Sequence, residues 1–293
     1  DHRRDRACRW RLNPRLIQTM TDITLYLELA AVLIATGFIA GIIAGLLGLG
    51  GGIVLVPAFY FLFSSMGYES AHLMQVCVAT SLATIVVTSL RSVQSHRKRG
   101  TVDMDILKTW APGIVIGAVI GAFVATRLSS QILLGIFGVL GMIVSAQMAF
   151  GGLKEIATER LPREPFRSAL SSGIGFLSVL MGIGGGSFGV PVLTLSGLTM
   201  HRAVGTAAGF GLLIALPSSV SFALHGWALA GKPPFSLGLI NLPAFAATIS
   251  MTLISAPMGV ALAHRLPAKK LKRIFAVFLL ITAARMLMKA FSM

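Results

Sequence analysis

Gly48-Leu49-Gly50-Gly51-Gly52-Ile53-Val54-Leu55-Val56-Pro57 and Gly182-Ile183-Gly184-Gly185-Gly186-Ser187-Phe188-Gly189-Val190-Pro191 are near-copies of one another. Gly48 and Gly182 stand 134 residues apart, as do Pro57 and Pro191, and each block lies between long apolar runs. Glycine costs a helix interior about 1 kcal/mol relative to alanine, so a triple glycine closed by proline predicts a broken helix in each half of the chain. Lipid cannot satisfy the backbone groups that a break exposes, so a break is tolerated only where protein covers it or where it lines a cavity. Paired breaks at matching places point to the binding site of a secondary transporter.

The surrounding composition agrees. Of 293 residues, 55% are hydrophobic and 12% charged; soluble domains run near 25% charged, so the chain belongs in a bilayer. A net charge of +15 would suggest nucleic acid in a soluble protein. Here it reads as loop lysines and arginines under the positive-inside bias, and no nucleic-acid partner is expected. Acidic residues stop at Glu164, which rules out a carboxylate pair or carboxylate-held metal within the second half. Cys8 and Cys77 have no metal-ligand spacing. No metal and no cofactor are expected.

Apolar segments fall at about 24–47, 52–64, 72–94, 107–126, 131–150, 168–183, 186–198, 203–224, 237–263 and 272–290. The second and seventh hold roughly 13 residues, about 20 Å of helix against a hydrocarbon core of about 30 Å. They read as half-spans or as arms of a hairpin, and the charges do not choose between the two. The expected organisation is an N-terminal extension at 1–19, left out of the fold because Met20-Thr21-Asp22 reads as a natural start. A first membrane repeat follows at 20–150, then a cytoplasmic linker at 151–167 and a second repeat at 168–293. The fold class is an all-α polytopic membrane protein built from two repeats of about five helical segments.

The repeat extends past the glycines. Thr80-Ser81 aligns with Thr206-Ala207, Arg99-Gly100 with His225-Gly226, Val102-Asp103 with Ile240-Asn241, and Ala125–Leu128 with Ala263–Leu266. Five segments is an odd number, so the two halves are expected to be inverted. Arg97, Lys98, Arg99, Arg163 and Lys269 are among fifteen basic residues on one side, against Arg127, Lys232 and Lys289 on the other. The positive-inside bias makes the richer side cytoplasmic, in a multi-pass protein of the cell (inner or plasma) membrane.

Half-helices starting near Gly52 and Gly186 would present free N–H groups and about half a positive charge each. Two such ends meeting form an anion site without a lysine. The expected substrate-binding set is therefore Gly50, Gly51, Gly52, Gly184, Gly185, Gly186 and Ser187, joined by Thr80, Ser81 and Thr206 from the third and eighth segments. Pro57 and Pro191 are expected to break or gate the helices, and Arg91 and Arg285 are candidates for the anion path. Gly185-Gly186-Ser187-Phe188-Gly189 also matches the nucleophile-elbow pattern. The alternative reading is thus an intramembrane serine protease pairing Ser187 with His225 or His264, and a third reading is a non-transporting subunit. Against catalysis, the first repeat places Ile53 where Ser187 stands.

With Gly45-Leu46-Leu47-Gly48-Leu49-Gly50-Gly51-Gly52 before Pro57, and Gly182-Ile183-Gly184-Gly185-Gly186 before Pro191, the chain resembles the sulfite exporter TauE/SafE family of anion permeases. The resemblance covers Met20 to Met293. It implies a permease for a small sulfur-containing or organic anion such as sulfite or an organosulfonate. Efflux suits the physics, because one negative charge leaving a negative-inside cell gains about 2.3 kcal/mol per 100 mV. The expectation is alternating access around the two glycine loops, with a coupling ion (proton or sodium) left open.

Overall fold

The computed structural model of the chain describes residues 31–42, 51–68, 70–150, 162–227, 229, 231–263 and 268–292. The expected extension at 1–19, residues 151–161 of the linker and the first glycine block up to Gly50 lie outside the described residues. In chain order the helices are α1 (Ala31–Ile42), α2 (Gly52–Ser65), α3 (Leu73–Lys98), α4 (Met104–Arg127), α5 (Ser130–Phe150), α6 (Phe166–Leu180), α7 (Gly186–Leu195), α8 (Met200–His225), α9 (Leu242–Ala263) and α10 (Ala268–Ser292). A two-stranded antiparallel ribbon, β1 (Ser236–Leu237) with β2 (Ile240–Asn241), precedes α9. Among the described residues, α3, α4, α5 and α8 are long and apolar enough to cross a membrane. The fold is all-α and polytopic, as the segment pattern predicts.

Helix α2 has 14 residues and α7 has 10, about 21 and 15 Å of rise. Both are too short to span. Their direction is read from what they touch. Gly113, Gly117 and Gly121 of α4 lie against Ser171, Ser172 and Phe176 of α6 in the same order, so α4 and α6 run parallel. Helix α8 also runs parallel to α4, since Trp110 meets Phe210 and Phe123 meets His225. Helix α7 runs the other way along α8: Gly185 lies against Phe210 and Gly211, and Gly189 reaches Ala207. Helices α6 and α7 therefore form a hairpin with its tip at 181–185, which decides between the two readings for the seventh segment.

Small residues let these helices approach closely, as membrane packing favours. The repeat-related contact between the halves is the same, with Gly37 and Gly41 of α1 against Thr248 and Thr252 of α9. Equivalent helices of the two halves also pack on each other. In the α5–α10 pair, Gln131 donates to the Ala290 carbonyl (2.8 Å) and Ser145 to the Ala276 carbonyl (2.7 Å), so the two run antiparallel. Helices α3 and α8 are likewise antiparallel, with Ser89 at Gly211 and Thr101, just beyond α3, at Gly205. Trp110, Tyr60, Phe59, Phe137, Phe210 and Phe222 fill the interior, while Ile116, Ile120, Phe123, Ile132, Val139 and Ile143 of α4 and α5 face outward. That outward apolar face suits lipid.

Candidate functional site at the paired helix breaks

The two glycine loops touch. A side chain on Gly52, the first residue of α2, would put its Cβ 2.5 Å from the Gly182 carbonyl oxygen and 2.9 Å from Ile183 Cα. Only glycine permits that approach. On the other side of the contact, Gly182 has φ +64° and lies against Val56 of α2 and Val78 of α3, a left-handed conformation that L side chains avoid. Gly51 caps α2 with φ 74°, and its carbonyl accepts from the Val54 and Leu55 N–H groups at 3.1 and 3.2 Å. At α7 the Gly185 carbonyl accepts from the Gly189 N–H at 2.7 Å. Gly51, Gly52, Gly184, Gly185, Gly186 and Ser187 are all buried. Gly50 lies outside the described residues.

Ser81 holds the second loop from the first half: its hydroxyl donates to the Gly182 carbonyl at 2.8 Å. Thr80 and Thr206 do something that repeat arithmetic alone does not reveal. Thr80 Oγ1 accepts from the Asn241 N–H, and Thr206 Oγ1 accepts from the Asp103 N–H, both at 3.0 Å. Each half's threonine thus fastens the segment that opens the fourth helix of the other half. Asp103 and Asn241 are the N-caps there, Asp103 Oδ1 accepting from Asp105 and Ile106 and Asn241 Oδ1 from Ala244. One feature breaks the symmetry. Asp103 Oδ2 also pairs with Arg202 at 2.6 Å. Burial pushes the Asp103 carboxyl up, but the Ile106 N–H, the Arg202 guanidinium and the Asp105 N–H outweigh it and hold it below the usual carboxylate range.

Side chains outside the sequence-derived set complete the surroundings of the second loop. A Cβ on Gly185 would lie 2.4 Å from Phe210 Cβ, and one on Gly189 would lie 2.8 Å from Phe210 Cδ2. Phe210 stacks on Trp110 of α4, with centroids 5.7 Å apart and ring planes 17° from parallel. Phe210 and Trp110 carry no sign in the glycine repeat, because the opposite halves have Thr84 and Thr248 at the corresponding places. Three buried polar atoms in this region have no hydrogen-bond partner: Ser178 Oγ, Ser187 Oγ and Trp110 Nε1.

The remaining expected residues stand apart from the breaks. Pro57 and Pro191 lie inside α2 and α7, whose helices run through them; the breaks themselves are at Gly51 and at 181–185. Arg285 sits 5.0 Å over the Phe61 ring, nine residues along α2 from Gly52, or about 13 Å. Arg91 is exposed on α3. Among the described residues, the Ser187–His225 pairing of the protease reading is not assembled. Ser187 has no partner, and His225 Nδ1 bonds the Ser221 carbonyl of its own helix at 2.9 Å. Along α8, His225 is about 22 Å beyond Phe210, the residue that packs on this part of α7. His264 lies outside the described residues.

The model of the family described as sulfite exporter TauE/SafE matches residues 33–286. A probable membrane transporter protein of Haemophilus influenzae is 34% identical over 254 residues, covering 86% of this chain and 96% of that protein. Probable membrane transporter proteins of Methanocaldococcus jannaschii (27% identical, 84% of this chain and 91% of that one) and Bacillus subtilis (31%, 67% and 78%) are also similar. No solved structure matches. A match of this extent makes the chain a membrane transporter and not an enzyme. The chain belongs to the sulfite exporter TauE/SafE family.

Proposed function

We propose that the protein is a secondary permease for a small sulfur-containing oxyanion, sulfite or an organosulfonate, working by efflux across the cell membrane. The observation that carries this reading is the direct contact between the two helix breaks, Gly52 against Gly182 and Ile183. The contact brings the N-terminal end of α2 to the loop that leads into α7. Both ends contribute positive dipole and first-turn N–H groups, which suit an anion. In this reading the halves are inverted repeats, supported by the antiparallel packing of α3 on α8 and α5 on α10. The basic end of α3 and the 99–103 turn face the cytoplasm, which puts Asp103 and Arg202 at the inner end and Asn241 and Thr80 at the outer end. The halves rock around the breaks and open them to each side in turn.

The test is uptake of labelled sulfite into proteoliposomes of the purified protein, competed with methanesulfonate, sulfoacetate, sulfate, thiosulfate and acetate. Saturable uptake with sulfur oxyanions ranked above acetate is expected. Saturable uptake led by acetate would reassign the substrate class, and no uptake by folded protein would remove the permease reading.

A further inference from the structure

Helix ends and glycines bring backbone donors to both breaks, yet the two breaks are not alike. The face of α3 that runs along them carries Val78, Ser81, Ile85 and Ser89, at the three- and four-residue spacings that share one side of a helix. Val78 lies against Gly182, and Ser81 gives its hydroxyl to the Gly182 carbonyl. Ile85 lies at the first break, its Cδ1 2.8 Å from the place a Gly52 Cβ would take. Ser89 lies at the second. It is 3% exposed. Unlike Ser81, Thr84 and Thr88 on the same helix, it makes no side-chain hydrogen bond among the described residues. A buried hydroxyl left without a partner calls for a reason.

One point brings Ser89 and the start of α7 together. The place a Gly211 Cβ would take is 2.5 Å from Ser89 Oγ and 3.7 Å from the Gly185 nitrogen. Gly211 is buried and has no side chain to fill that room. Gly185 caps the start of α7, and its N–H donates to no backbone carbonyl among the described residues, as expected of a helix start. A backbone N–H can only donate, and a hydroxyl can donate as well. A group that satisfies both together is an acceptor, and a helix N-terminus favours an anionic one. The repeat equivalents of Gly211 and Ser89 are Ile85 and Ala215. The first adds an apolar side chain and the second lacks a hydroxyl, so this room and its side-chain donor have no repeat equivalent.

Resting on the permease reading, we propose that Ser89 Oγ–H and the Gly185 N–H hold one oxygen of the transported anion at the second break, in the room that Gly211 leaves beside them.

Ser89→Ala tests this, because it removes the hydroxyl alone. Sulfite uptake by the variant should show a half-saturation concentration raised about tenfold, the size of one lost hydrogen bond to a charged group, with little change in maximal rate. Its melting temperature without substrate should match the parent, since no bond within the protein is lost, and the rise that sulfite produces should shrink. Gly211→Ala puts a methyl group into the same room, 2.5 Å from Ser89 Oγ, and should weaken uptake at least as much. Should Ser89→Ala not fold, Ser89→Cys, a weak donor, takes its place with the same expected shift. Unchanged half-saturation in the Ser89 variant, while the parent transports, overturns the proposal and leaves the permease reading standing. A lower melting temperature with an unchanged sulfite-induced rise makes Ser89 a packing residue and overturns it as well. Parent-like uptake by Gly211→Ala does the same, because the room would then be unused. If the parent moves none of the tested anions, both readings fall together.

Discussion

At the scale of single residues, the account rests on backbone contacts that a methyl group would destroy. Gly185→Ala would drive its Cβ into the Phe210 backbone at 2.9 Å, and Gly52→Ala into the Gly182 carbonyl at 2.5 Å. Each is expected to lower uptake at least tenfold in protein that still inserts. Gly135→Ala, where nothing lies within 4 Å, should transport like the parent, because alanine is the better helix former. Equal uptake by all three at matched reconstitution would remove the close approach of the loops from the mechanism. Asp103 makes a prediction of a different kind. Its carboxyl titrates below the ordinary range, so its stabilisation is complete above about pH 4, the usual value for an unfolded aspartate, and is lost as pH falls through the lower folded value. Asp103→Asn keeps the N-cap, as Asn241 does in the other half, and should flatten that acid limb. A melting curve in detergent from pH 6 to pH 3 that falls equally for both proteins would show that the Asp103–Arg202 pair does not set it.

Among elements, the crossed caps are the distinctive feature. Thr80 and Thr206 aligned in the sequence, and their type suggested contact with substrate. The structure gives their oxygens to the N–H groups of Asn241 and Asp103. What the sequence could not carry is the pairing, because residues 161 and 103 positions apart meet only once the halves interlock. The glycine blocks, the helix spans and the short α2 and α7 were legible, since periodicity and breakers are local signals. The hairpin form of α6–α7 was not, because direction depends on which helix packs alongside. Phe210 and Trp110 were hidden for the same reason and have no counterpart in the repeat. Thr80→Val should destabilise the protein by about 1–2 kcal/mol by leaving a buried N–H unpaired. Thr206→Val should cost less, because the Asp103 N–H is only partly buried. Denaturant unfolding of both variants checks the order, and a Thr206→Val cost equal to or above that of Thr80→Val would contradict it.

For the whole molecule, the claim is that two halves of opposite orientation meet at their broken helices. Opposite orientation is a labelling prediction. Arg97→Cys, next to the basic turn, should react with a membrane-impermeant maleimide only from the cytoplasmic side, and Lys232→Cys only from outside. Labelling of both from one side would contradict the inverted arrangement. The interlocked packing also explains why neither half is expected to work alone: α6 lies on α4, α1 on α9, and each threonine clasps a segment of the other repeat. The most direct test of the central claim is sulfite flux measured side by side for the parent, Gly185→Val and Gly135→Ala, reconstituted at equal density and shown to be folded. The account predicts saturable flux for the parent and Gly135→Ala and none for Gly185→Val. Equal saturable flux by Gly185→Val would contradict it, because the second break could not then be where the anion is held.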